Sequence, residues 1–435
     1  MVRLIAHALV LAAIALAPAC ARAEGLMELY LRALETNPML RSRGFGVDQA
    51  RAQQDMARSR LLPQLSAAGS YNRNNYEEQD IERRYTGKRG SVVATQPLFD
   101  LASYYRLKGA QTTVLQSEQE RQAAEISLGG ELIDRYLRVL QAEDEIEHLA
   151  SEKEAIETQL KRLRAMRERQ LVKVTDLYEV EAYYQALLTR EIEVRNARAV
   201  GLERLRETTG VLVKNVAPLV SQALPPVPGT EEQWVADSVS GNPTLLALTS
   251  AIEGMERLID ASRSEHLPTL GFAASQTYSD QGYDNRAVPS YNVGTVGLQL
   301  TIPIYEGGRV QAGVREAVAR REMAREEYEA GRREIEGKVR SAYLSATASR
   351  ARIASTDAEV SALDRVVTAQ QRSFEVGVTT VLDVLIARQR LVKARSEHSR
   401  ARYDYIRDLT VLRVQSGALN RANIEEIDSW LARTR

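Results

Sequence analysis

The sequence predicts an α+β membrane protein with an internal two-fold repeat, in which amphipathic β-strands alternate with very long helices. Three observations predict it. Landmark residues recur about two hundred positions apart, two runs of about seventy residues contain no proline and little glycine, and short segments alternate apolar and polar residues.

The repeat comes first because it organises everything else. Asn37-Pro38 recurs as Asn242-Pro243, and Leu62-Pro63 as Leu267-Pro268, both at an offset of 205. Pro97 pairs with Pro303 at 206. Tyr136-Leu137 pairs with Tyr343-Leu344, Asp176 with Asp383, Leu205-Arg206 with Leu412-Arg413 and Gly210 with Gly417, all at 207. An offset that drifts by two residues over so many landmarks marks a duplicated unit, whereas chance matches would scatter. The expected organisation is a signal peptide over 1–23, a first repeat over 24–210, a connector over 211–230 with Pro218, Pro225, Pro226 and Pro228, a second repeat over 231–417 and a tail over 418–435.

The amino terminus carries one arginine, an apolar run of moderate length and the small-residue triplet Ala21-Arg22-Ala23, a secretory signal cut after Ala23. The alternatives are a membrane anchor, for which the run is short, and a lipid attachment at Cys20, for which Ala17 and Pro18 fit poorly. Cutting after Ala23 removes the one cysteine of the 435 residues, and with it any disulfide or thiolate metal site. No later stretch is long and apolar enough for a transmembrane helix, so a membrane crossing has to be made by strands. The 58 basic and 58 acidic residues are interspersed, which gives no general attraction to nucleic acid or anionic surfaces.

Each copy runs in the same order. A short helix leads to Asn-Pro, where the residue before proline is pushed out of helical geometry, and a helix of about 25 residues follows. Next come strand pairs over about 64–99 and about 268–304: QLSAAGSYN with GSVVATQPL, and TLGFAASQTY with VGTVGLQLTIPI. Val296, Leu298, Leu300 and Ile302 share one face, and Thr295, Gly297, Gln299 and Thr301 the other. The intervening segments NNYEEQDIERRYTGK and SDQGYDNRAVPS read as polar loops. Strands of about nine to twelve residues reach across a bilayer when tilted. Two pairs do not close a barrel, and an open edge is forbidden in lipid, so several chains have to pool their strands.

The long runs extend from Asp100 to about Arg169 and from Gly307 to about Glu375. At 1.5 Å per residue, each reaches roughly 105 Å. In the first, Leu132, Tyr136, Val139, Ile146, Leu149, Ile156, Leu160 and Leu163 form a narrow stripe of coiled-coil type. Breaks at RQLVKVTDL and FEVGVTTVL turn each copy back into a second helix of about 35 residues. At the strand-to-helix junctions, Pro97 and Pro303 are tolerable near a strand's end, and Gly307-Gly308 lets the chain turn without a Cβ penalty.

In order along nearly the whole mature chain, LMELYLRALETNP, LLPQL, TQPLFD, VTDL, HLPTL, TIPIYEGG, FEVGVTTVLDVL and YDYIRDLTVLRVQSGALN resemble the TolC family of bacterial outer-membrane exit ducts. The poor lipid-attachment site and the C-terminal pattern set it closer to the unlipidated branch. The resemblance implies a homotrimer whose four strands per chain make a twelve-stranded β-barrel, continued by a hollow α-helical coiled-coil barrel across the periplasm. It implies hairpin tips that dock a periplasmic adaptor protein tied to an inner-membrane pump of RND, ABC or MFS type. Drugs, other small molecules or unfolded proteins would pass in efflux or type I secretion, and no cofactor is implied.

The resemblance also assigns candidate site residues. Asp383 matches an acidic ring at the periplasmic entrance, and Asp176 with Thr175 matches one side of a latch at the tips. The family's latch tyrosine and arginine positions are Phe374 and Thr379 here, and its second ring position is Ile386, so the gating network departs from the pattern. Leu171, Val172, Gly377 and Val378 are the implied adaptor-docking tips. Three carboxylates about 8 Å apart repel by roughly 0.5 kcal/mol per pair at bulk-water dielectric, so even one ring favours cations.

Other classes of function find little support. His148, His266 and His398 are far apart in sequence, and there is no HExxH, phosphate loop or GxSxG motif. A soluble periplasmic coiled-coil scaffold or adaptor is the remaining alternative; an adaptor would show one hairpin flanked by β-rich domains, whereas this chain has two hairpins and two strand pairs.

Overall fold

A computed structural model describes residues 24–78, 81–170, 172–221, 223–280 and 290–432. The expected signal peptide with Cys20, and the tip residue Leu171, lie outside them. The elements are α1 (Leu26–Thr36), α2 (Pro38–Ser59), β1 (Gln64–Glu78), β2 (Ile81–Phe99), α3 (Leu101–Glu168), α4 (Val174–Thr209), α5 (Glu231–Gly241), α6 (Pro243–Ser264), β3 (Thr269–Asp280), β4 (Tyr291–Thr301), α7 (Arg309–Glu375), α8 (Val381–Gln415) and α9 (Arg421–Ser429). The order α-α-β-β-α-α thus occurs twice before α9. No described helix is long and apolar enough to cross a membrane. Two compact units divide the chain: one holds residues up to Arg41 with 123–242 and 334–435, the other 42–122 with 243–333.

In the second unit the four strands form one antiparallel sheet in the order β1-β2-β3-β4, so the two copies of the repeat meet at β2 and β3. Directly paired residues project from the same face. Leu65, Ala94, Ala274 and Val296 form one row across all four strands; Phe272 with Leu298 and Leu270 with Leu300 continue that face. Thr95, Ala273, Gly297 and, further along, Ser275 with Thr295 form the opposite, polar one. Leu65 is 76% exposed, Val296 74% and Leu298 67%, so this apolar face is left open among the described residues. At one end it carries Tyr71 and Tyr278, both exposed, as an aromatic border.

The sheet corrects the sequence reading in one respect. Residues 74–78 and 81–88 are strand and not loop: the β1–β2 ladder continues to Glu78 opposite Ile81. Asn75 lies directly opposite Arg84 and accepts a hydrogen bond from its Nε at 3.3 Å. A strand that is polar on both faces carries no period-two signal, so only its pairing reveals it. β1 and β2 have 15 and 19 residues, against 12 and 11 for β3 and β4. At the other end of β2 the register shifts between Pro97 and Phe99, a bulge that sets Phe99 opposite Leu270. Pro97 therefore sits beyond the last β1 partner, Thr95, where a missing N–H is tolerated.

In the first unit each Asn-Pro break becomes a clamp. Asn37 Nδ2 donates to the Thr208 carbonyl at 3.2 Å near the end of α4, and Asn242 Nδ2 to the Gln415 carbonyl at 2.8 Å at the end of α8. Both return helices stop at glycines in the left-handed region, Gly210 (φ 70°) and Gly417 (φ 75°). One apolar core joins α1, α3, the 211–230 connector, α8 and the C-terminal segment around the fully buried Tyr136, Tyr403 and Tyr405. The connector is pinned through its backbone. Ala217 N–H donates to the Tyr136 hydroxyl at 2.7 Å, and the Tyr405 hydroxyl donates to the Pro225 carbonyl at 2.5 Å. Burial pushes the Tyr136 and Tyr403 phenols well above their ordinary range.

Candidate functional site

The two hairpin tips start from different local chemistry. Between α3 and α4 the turn passes through Gln170, a non-glycine residue at φ 58°, whose N–H bonds the Arg167 carbonyl at 2.8 Å. The residue preceding α4 is Lys173, which is extended and offers no side-chain cap. Between α7 and α8 the turn uses Gly377 at φ 81°, with Val378 N–H bonding back to the Ser373 carbonyl at 2.8 Å. Thr380 then caps α8 in a reciprocal box with Asp383.

Asp383 is exposed and lies in the first turn of α8. Its Oδ2 accepts from the Thr380 hydroxyl at 2.7 Å and from the Thr380 N–H at 2.9 Å, and its own N–H donates to the Thr380 Oγ1 at 3.3 Å. The hydroxyl first, then the amide, hold the carboxyl below its ordinary range. Ile386 stands one turn later, 38% exposed.

The expected latch residues make local contacts. Thr175 and the half-buried Asp176 lie in the first turn of α4, with the Thr175 hydroxyl 3.4 Å from Asp176 Oδ1. The Thr379 hydroxyl reaches the Gln370 carbonyl at 3.5 Å, at the limit of a hydrogen bond. Phe374 is half-buried, and so is Val172; both pack against the tip core of Ile156, Leu160, Leu163, Leu177, Val180, Val381 and Leu385. That core ties the two hairpins together, and the Arg162 guanidinium adds to it, 5.9 Å from the Phe374 ring centroid. Val376 and Val378, flanking Gly377, are 75% and 76% exposed. At the strand-to-helix junction Pro303 lies two residues beyond β4, and Gly307 (φ 62°) and Gly308 (φ 83°) turn the chain into α7.

Sequence reasoning missed Thr380, although the Thr-x-x-Asp spacing before an apolar helix announces it, and missed Arg162, which nothing in the sequence marks. It also set the histidines apart, whereas His398 lies in α8 and His148 packs against the same turn of it. His148 lies 3.3 Å from the Ser399 hydroxyl, and the neighbouring His398 lies 3.1 Å from Thr356. Burial holds His398 below its ordinary pKa.

Comparison with known proteins agrees with this architecture. Residues 29–211 and 234–418 each match the outer membrane efflux protein family. The alkaline protease secretion protein AprF of Pseudomonas aeruginosa is 28% identical over 92% of this chain and 86% of its own. The outer membrane protein TolC of Vibrio cholerae is 28% identical over 94% of both chains. Among solved structures, the CmeC outer membrane channel of Campylobacter jejuni superposes with a TM-score of 0.80 at 18% identity, covering 94% of this chain and 90% of its own. The outer membrane protein VceC of Vibrio cholerae superposes at 0.78 and 15%, covering 91% and 97%. With both copies of its repeat matched, the chain belongs to the outer membrane efflux protein family, and it is an exit duct of the bacterial outer membrane that extends into the periplasm.

Proposed function

We propose that three copies of the chain join edge to edge into a barrel of twelve strands, three times the four of one sheet, and that the helices carry the passage inward through the periplasm. The observation that carries this reading is the sheet itself, with an exposed apolar face, a polar reverse face and, among the described residues, edges at β1 and β4 that pair with no further strand. Lipid tolerates no open edge, so the edges have to be met by other copies. Two copies would give eight strands, whose interior is filled by side chains; three leave a passage.

In this reading residues 1–23 are removed on export, and the tips around Leu171, Val172, Gly377 and Val378 receive a periplasmic adaptor coupled to an inner-membrane pump of RND, ABC or MFS type. The exposed Val376 and Val378 suit an apolar contact there. AprF and a second relative, the proteases secretion protein PrtF of Dickeya chrysanthemi, are named for protein secretion, and BepC of Brucella suis for efflux. The cargo classes are accordingly unfolded proteins and small molecules, selected upstream by the pump. Asp383 from the three copies forms a cation-favouring ring at the entrance, with Asp176, Thr175, Thr379 and Phe374 at the contacts that hold it closed.

The test is to place one cysteine in β1 and scan a second along β4 from Val293 to Leu300 in a chain carrying no other. Oxidation in membranes is expected to yield a covalent ladder that ends at three chains. A ladder ending at two, or no product beyond one chain, sinks the proposal.

A further inference from the structure

The duplication makes each tip a control for the other. At the offset of 207 that pairs Asp176 with Asp383, the counterpart of Thr380 is Lys173. Both tips thus offer an aspartate at the third position of a helix, but only α8 has a hydroxyl at the position before it. Lys173 gives α4 no side-chain cap. At α8 the Thr380 hydroxyl and amide both land on one oxygen of Asp383, Oδ2, at 2.7 and 2.9 Å. The carboxylate is therefore fixed in rotation while its other oxygen, Oδ1, takes no part in the box.

We propose that Thr380 is a positioning residue for ion passage: it holds Oδ2 of Asp383 as the structural oxygen of the cap and presents Oδ1 to cations in the bore. The inference rests on the reading of Asp383 as the entrance ring. Physically, an unrestrained aspartate rotates among staggered rotamers and spends its charge over a wide arc. A carboxylate accepting two charge-assisted hydrogen bonds is confined to one arc, and those bonds favour its charged form. Asp383 is indeed held below the ordinary carboxylate range, with the Thr380 hydroxyl as the first cause. The sign follows: charge at this position, and any cation preference it confers, is present above the folded-state pKa and lost as pH falls through it. Removing the hydroxyl moves that loss to higher pH. Lys173 at the other tip supplies no side-chain cap, so the two aspartates of one ancestral position have diverged, Asp383 held in a capping box and Asp176 in a long contact with the Thr175 hydroxyl.

The experiment measures the reversal potential of single trimers in a planar bilayer under a potassium chloride gradient, as a function of pH from neutral to acid. The native protein is expected to prefer cations at neutral pH and to lose the preference on acidification. Asp383→Asn should abolish the preference at neutral pH; if it does not, the ring reading fails and the inference with it. Thr380→Val should shift the Asp383-dependent midpoint upward and reduce the preference at pH values just above it, and Thr380→Ser should restore both. Thr380→Gly covers the case in which the valine variant does not assemble, because glycine remains a competent cap yet lacks the hydroxyl. If Asp383→Asn abolishes the preference while the valine or glycine variant titrates like the native protein, the ring stands and the positioning role of Thr380 is overturned.

Discussion

Tyr136 and Tyr343 occupy the same place in the two copies of the repeat and have opposite surroundings. Tyr136 is 0% exposed and its hydroxyl receives the Ala217 N–H; Tyr343 is half-buried, its hydroxyl 3.4 Å from the Gly229 carbonyl. The next residue repeats the contrast, Leu137 at 1% exposure against Leu344 at 60%. Glycines at the same offset of 207 do so again. A Cβ on Gly130 would stand 2.6 Å from the Val414 Cγ2, whereas one on Gly337 would meet nothing within 4 Å. For Tyr136 and Leu137 the cause is that the connector and the C-terminal segment occur once, and both pack on α3; for Gly130 it is Val414 of α8. Duplication copies a pattern of side chains; singular segments then decide which copy becomes core.

The comparison can be broken in three places. The largest effect is expected at the tyrosines. Tyr136→Ala removes a fully buried ring and orphans the Ala217 N–H, and should lower stability by about 3–5 kcal/mol, against less than about 1 kcal/mol for Tyr343→Ala. Thermal unfolding of both purified variants measures this, and equal losses would mean that the connector does not distinguish the copies.

The glycines should differ in sign. Gly130→Ala forces a methyl into a stiff β-branched neighbour and should destabilise by about 1–3 kcal/mol, with partial rescue by Val414→Ala. Gly337→Ala replaces glycine in a helix interior with open space beside it, and should stabilise by up to about 1 kcal/mol. Losses of similar size in both would show that α7 is packed where its counterpart residue finds no neighbour.

The smallest effect sharpens the comparison of the tips. Lys173→Thr places a hydroxyl before α4 with Asp176 ready at the third position, and should gain about 0.5–1 kcal/mol. Thermal unfolding of the purified variant measures the gain; an unchanged or lower melting temperature would show that the box did not form.

Much of this was legible in the residues. The landmark offsets marked the repeat, proline-free runs marked α3 and α7, and the alternation Val296, Leu298, Leu300 marked the exposed face of β4. Residues 74–78 and 81–88 were not legible as strand, because Asn75 and Arg84 are polar like most of their neighbours on both faces and only pairing orders them. Nor was Gly130 legible, since its constraint comes from Val414, almost three hundred positions away. At the tips, the resemblance to known ducts named Asp383 and Asp176 together. The difference between them, Thr380 against Lys173, was open to inspection in the sequence, and took on meaning once the bonds to Oδ2 were seen.

The unpaired edges have a further consequence. β1 and β4 run antiparallel, so in a barrel of several copies every seam is the same kind of ladder as those within a chain. Backbone amides and carbonyls do not record which gene encoded them. A cell that makes more than one such duct therefore has to sort its subunits by the side chains beside the seam, or tolerate hybrids whose mouths combine two specificities.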